Sequence, residues 1–103
     1  MDVKQISGVE KFEKVEEVID ENNTREVYKV PEGKAFFVEN KHTIEMRCDQ
    51  KLKDLLVDKY ESVMESRYFG RGGIEIVTEG KQLEEPEIED LVRLSYNLTK
   101  ELK

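Results

Sequence analysis

The apolar residues of this chain change period along its length, and that change restricts the fold more than any other feature. From Val9 to Ile19 they fall at Val9, Phe12, Val15 and Ile19, three or four residues apart, as on one face of a helix. Ser7-Gly8-Val9-Glu10 has the form of a capping box, in which serine and glutamate reciprocally satisfy free amide donors. Asn22-Asn23 suits the left-handed geometry of a helix end, so the spacing predicts a helix over 8–21. After it the period becomes two. Arg25–Val30 and Lys34–Glu39 are short, β-rich runs around the turn Pro31-Glu32-Gly33. In Thr43–Cys48 the residues Ile44, Met46 and Cys48 alternate with Thr43, Glu45 and Arg47, the pattern of a half-buried strand.

The helical period then returns. Asp49 is placed to cap a second helix running to about Tyr60, with Leu52, Leu55, Leu56 and Tyr60 on one face. Ser62–Phe69 and Gly73–Thr78 read as two further strands around a hairpin-type turn, Gly70-Arg71-Gly72-Gly73. Pro86 fits the first turn of a last helix, where a missing N–H is harmless. Ile88, Leu91, Ser95, Leu98 and Leu102 form its inner stripe, with Val92 beside it. The order α-β-β-β-α-β-β-α predicts one α+β domain over residues 1–103, a sandwich with helices packed on one face of a small antiparallel sheet.

Composition narrows the class further. With 40% charged residues the chain is polar, but four tyrosines, four phenylalanines and regular apolar spacing exclude a disordered chain. A single cysteine excludes an internal disulfide framework and a multi-cysteine zinc site. The longest apolar run is far short of a membrane span, and no signal peptide opens the sequence, so a reduced, cytoplasmic, single-domain protein without a membrane segment is expected.

Three groups of residues resemble the MmcQ/YjbR family. Val27-Tyr28-Lys29-Val30 followed by Gly33-Lys34-Ala35-Phe36-Phe37-Val38 is similar to its early strands. Ile44-Glu45-Met46-Arg47-Cys48-Asp49, with Leu52, Leu55 and Leu56 after it, resembles its strand-to-helix junction, a lysine-cysteine-aspartate-proline run in which Gln50 here replaces the proline. Leu91-Val92-Arg93-Leu94-Ser95-Tyr96-Asn97-Leu98 resembles its closing helix, which carries a serine-tyrosine pair. Together the matches span roughly residues 25–102. Arg67–Ile76 departs from the pattern, lacking the expected histidine and tryptophan. The resemblance implies a frataxin-like sandwich and a DNA-binding role through a pair of wings, with no catalytic site and no cofactor.

Charge decides where such a role can lie. The formal net charge of −7 is unevenly spread. Glu10, Glu13, Glu16, Glu17, Asp20 and Glu21 outnumber Lys11 and Lys14 in the first predicted helix, and residues 79–103 are again acidic, whereas 23–78 balance. Nucleic-acid affinity comes largely from phosphate neutralisation, so the central strands are the eligible surface. Arg71, in its glycine-rich turn, is the candidate wing tip, with Lys41 and Arg67 as partners and Arg47 able to join them. Glu45, Glu65 and Glu75 lie among these in sequence and oppose DNA. The alternative is a protein-interaction module, receiving a basic protein or a second copy, or a divalent-cation binder using Glu10, Glu13, Glu17 and Asp20 on one helix face. Cys48 is expected to be a buried, inert thiol and His42 an exposed turn residue, so no catalytic group is assigned and the chain is expected not to be an enzyme.

Overall fold

A computed structural model describes residues 1–80 and 82–102. The strands are β1 (Glu13–Asp20), β2 (Asn23–Lys29), β3 (Ala35–Glu39), β4 (Thr43–Arg47), β5 (Val63–Ser66) and β6 (Gly70–Val77). Among the described residues, two α-helices, α1 (Gln50–Lys59) and α2 (Glu85–Glu101), and a short 3-10 turn at Val3–Gln5 accompany the strands. The strands form one antiparallel sheet in the order β1-β2-β3-β4-β6-β5. The architecture is α+β. Leu52 and Leu56 of α1 and Leu91, Val92 and Tyr96 of α2 enter one apolar cluster with Phe36, Phe37, Ile44, Met46, Ile74 and Ile76, so both helices cover the same face.

The expected first helix over 8–21 is absent; its place is taken by β1. The helical spacing of Val9, Phe12, Val15 and Ile19 arises differently. Val9 is buried in the turn before the strand, where its N–H donates to the Ile6 carbonyl, and the capping box does not form. The residues that follow favour a strand. Val15, Val18 and Ile19 are β-branched, and Asp20 pairs with Asn23 across a two-residue turn. Asp20 Oδ1 accepts from Asn22 N and Asn23 Nδ2, both at 3.0 Å, so the asparagines read as a helix end make a hairpin. These bonds hold the Asp20 carboxyl below the usual aspartate range.

The middle strands and both later helices match expectation closely. Asp49 Oδ1 accepts from Leu52 N at 3.0 Å and caps α1, and Pro86 lies in the first turn of α2. Gly33, at φ +97°, closes the Pro31-Glu32-Gly33 turn. Leu55 and Leu102, expected inside, are exposed, while Tyr96 and Thr99 take inner positions on α2. The glycine-rich segment is not a turn: Gly70-Arg71-Gly72-Gly73 begins β6, and the reversal falls one step earlier, with Ser66 paired to Gly70.

One irregularity sets which residues reach which face. Tyr28 pairs with Phe37 but Lys29 pairs with Ala35, which leaves Phe36 as an extra residue in β3. Phe36 and Phe37 therefore both join the helix-side core, whereas Ala35 and Val38 join Val27 in a second cluster on the opposite face. Ser95, fully buried in α2, ties the helix to this region: its hydroxyl donates to the Phe36 carbonyl at 2.6 Å and accepts from Arg47 N at 2.8 Å. Ser95→Ala will strand both backbone groups and lower stability by about 2 kcal/mol or more in urea denaturation. A loss under about 0.5 kcal/mol would show that this hydroxyl does not hold the helix to the sheet.

Candidate functional site

The face of the sheet away from the helices carries the structure's most distinctive chemistry. Glu45 of β4 and Glu75 of β6 stand directly opposite each other, and only 2% and 1% of their surfaces are exposed. Each has apolar neighbours in sequence that point to the helix side, so the alternation of the strands sends both carboxylates to this face.

Burying two acids side by side requires dense hydrogen bonding. Glu45 accepts from Asn40 Nδ2, Ser66 Oγ and Tyr68 N, each at 2.8 Å. Glu75 accepts from Thr43 Oγ1 at 2.7 Å and from Arg67 three times, through Nε at 3.0 Å, Nη2 at 2.7 Å and the backbone N–H at 3.4 Å. Burial pushes the Glu75 carboxyl up, but the bonds from Arg67 and Thr43 outweigh it and leave the group below the usual glutamate range. The same pairing raises Arg67.

The donors Ser66, Arg67 and Tyr68 belong to the reversal between β5 and β6, which folds back over the sheet. Tyr68 and Phe69 sit edge to face, centroids 4.8 Å apart, and pack on Val27, Ala35 and Val38. Two arginines flank the pair. Arg25 lies 4.9 Å from the Tyr68 centroid and Arg47 4.9 Å from that of Phe69, within cation–π range. Arg47 also donates to the Ala35 carbonyl at 2.9 Å, and its partial burial lowers its pKa. Arg25 is shared with Glu17 at 3.0 Å.

The candidate residues Lys41, Arg67 and Arg71 do not form one cluster. Lys41 is exposed in the connection between β3 and β4, beyond the Thr43↔Val77 end of the sheet. Arg71 is exposed beyond the opposite end, where Arg47 pairs with Gly73. At a rise of about 3.3 Å per residue these two ends lie roughly 13 Å apart, and each cation lies beyond its own end. Arg67 lies between them, bound to Glu75. The acids expected to oppose these cations do so less than their sequence positions suggest. Glu45 and Glu75 are buried, and Glu65 is bound to the Lys53 ammonium at 2.6 Å.

The cation alternative loses its helix. Glu10 precedes β1, and Glu13 and Glu17 are four residues apart on one strand face, roughly 13 Å, too far to share a cation whose ligands lie at about 2.5 Å. Among the described residues no group of three metal-binding side chains converges. Cys48 is buried as expected, and burial pushes its thiol up to about 11. His42 is exposed and meets Glu79 at 2.9 Å. None of the described helices is long and apolar enough to cross a membrane.

Sequence reasoning missed the buried carboxylates and the aromatic cap. The available signal was an acid between two apolar residues in two separate strands, together with the Ser66-Arg67-Tyr68-Phe69 run, which brings a serine hydroxyl, a guanidinium and two aromatic rings in succession. Compared with protein-family models, with curated proteins and with solved structures, the chain finds no match in any of the three.

Proposed function

We propose that this chain is a small, non-enzymatic nucleic-acid-binding domain of frataxin-like type, acting in the cytoplasm, whose contact surface is the helix-free face of the sheet. The observation that carries the reading is the layering of charge there. Arg25, Lys29, Arg47 and Arg67 belong to this face, while its central carboxylates, Glu45 and Glu75, are buried and bonded by Ser66, Arg67 and Tyr68. Arg67 is the clearest case, largely exposed while the carboxylate it binds is held beneath it. Aromatic rings beside guanidinium groups suit a surface that meets phosphate and exposed bases together. The resemblance of residues 25–102 to the MmcQ/YjbR family supports the same role. The acids at the margin, Glu13 and Glu17, limit the field, and Arg25 and Arg67 already hold carboxylate partners.

Binding will therefore be weak and governed by few phosphates. Fluorescence anisotropy with a labelled DNA duplex and a labelled single strand, across a salt series, is expected to give a log–log salt slope no steeper than about −3, corresponding to roughly three neutralised phosphates. Arg71→Ala, at an exposed site, should shift the slope by about one and leave thermal stability unchanged. Absence of saturable binding to either probe at low salt would refute the reading.

A further inference from the structure

The acidic segment that the sequence presents as a helix is an edge strand, and this changes what it can recognise. β1 is hydrogen-bonded to β2 on one side only among the described residues, so the backbone groups along its other side are free to accept a strand. It is twice the length of the other edge, eight residues against the four of β5. Its two faces differ. Glu13, Val15 and Glu17 share the helix-free face, while Val18 belongs to the other face and is 74% exposed, with Ile19 beside it 52% exposed. Neither apolar side chain has a core role that accounts for its presence.

Charge selects the occupant. Within β1, Glu13, Glu16, Glu17 and Asp20 stand against Lys14 alone. A second copy added antiparallel would set acids against acids, and like charges across a strand pair repel. We propose that the β1 edge binds an extended basic segment of another protein by strand addition, a partner that alternates lysine or arginine with β-branched apolar residues. Its backbone completes the ladder, its cations face Glu13 and, beside the Arg25 already bound there, Glu17, and its apolar side chains cover Val18.

The probe is a capped seven-residue peptide alternating lysine and valine, titrated into the full chain and followed by amide chemical shifts and hydrogen exchange. Saturable shifts centred on Glu13–Asp20, with slowed exchange of β1 amides, are expected. An analogue N-methylated at alternate residues keeps the charge but loses one hydrogen-bonding edge, and should bind at least tenfold more weakly. Glu13→Lys should weaken binding about fivefold; Glu13 is exposed at the start of the strand, and an otherwise unchanged spectrum will show the fold intact. Equal binding of the N-methylated analogue would reduce the effect to charge attraction and overturn the proposal. So would shifts centred on another element, or a concentration-dependent dimer formed through β1 without peptide. Nucleic-acid binding is read on the opposite charge and on a different set of residues, so either result stands without the other.

Discussion

Arg67→Ala will lower stability by about 3 kcal/mol near neutral pH, although the side chain removed is 77% exposed. Exposed ion pairs ordinarily contribute under about 1 kcal/mol, so a loss of this size would be anomalous for a surface arginine. The reason lies in the partner. Glu75 is almost entirely buried and loses two charged donors at once, keeping the Thr43 hydroxyl and the long bond from the residue 67 backbone N–H. The figure is placed at the low end of the range for a broken buried pair because water will enter the vacated position. The pH dependence separates this account from simple loss of packing. In the wild type Glu75 sits below the usual glutamate range, so its contribution is present above the unfolded pKa of about 4.3 and fades as pH falls through the lower folded value. Without Arg67, burial pushes the carboxyl up instead, and the variant will accept a proton readily. The gap between the two proteins will therefore narrow on acidification below about pH 5. Urea denaturation across pH measures it; a gap constant with pH would mean that Arg67 does not act through the carboxylate.

Gly73→Ala will be of similar size, about 3 kcal/mol, for a steric reason. A Cβ at this position would stand 2.6 Å from the Met46 carbonyl oxygen and 2.7 Å from Phe69 Cβ. The carbonyl belongs to the neighbouring strand and cannot withdraw without straining the ladder, and Phe69 must in addition lift from the sheet. Lifting it separates the ring from Arg47 and uncovers Ala35 and Val38. Gly72→Ala is the matched control: there the nearest atom is the Phe69 carbonyl oxygen at 3.7 Å, ordinary contact. Thermal unfolding of the two variants should differ by well over 10 °C, since 1 kcal/mol is worth roughly 4–8 °C in a domain this size. Equal melting temperatures would show that the cap does not depend on a bare backbone at residue 73.

The parts of the fold legible in the sequence are those where local chemistry and tertiary demand agree. Asp49 is a good cap and is used as one; Pro31-Glu32-Gly33 is a turn; Ile44, Met46 and Cys48 alternate and are buried together. Residues 8–21 misled because Val9, buried, and Phe12, half-buried, reach the core from a non-helical approach to the strand, so their spacing with Val15 and Ile19 imitates a helix face. Their partner lies in the next strand, and single-sequence periodicity carries no information about pairing. The β-branched choice at Val15, Val18 and Ile19 was the better guide. The site was less legible than the fold. Arg67 was named for its charge, yet the acid that holds it is eight residues away on β6, and Glu45 and Glu75 meet only once β4 and β6 are side by side. Glycines 72 and 73 suggested a flexible tip. At Gly73 the missing side chain instead makes room for Phe69.

The seam between β4 and β6 has a consequence for folding. Every other strand pairing joins strands consecutive in the chain, so most of the sheet can assemble by local zippering. The seam alone must gather segments separated by α1 and β5, and it is where the two carboxylates stand. A slip of one residue along β6 would turn Glu75 into the helix-side core and bring Ile74 or Ile76 to the polar face, leaving the acid dry and without Arg67. The buried acids thus act as a register key. Only one alignment of the two halves gives both carboxylates their donors, and the chain's slowest search is also the one whose errors are most heavily penalised.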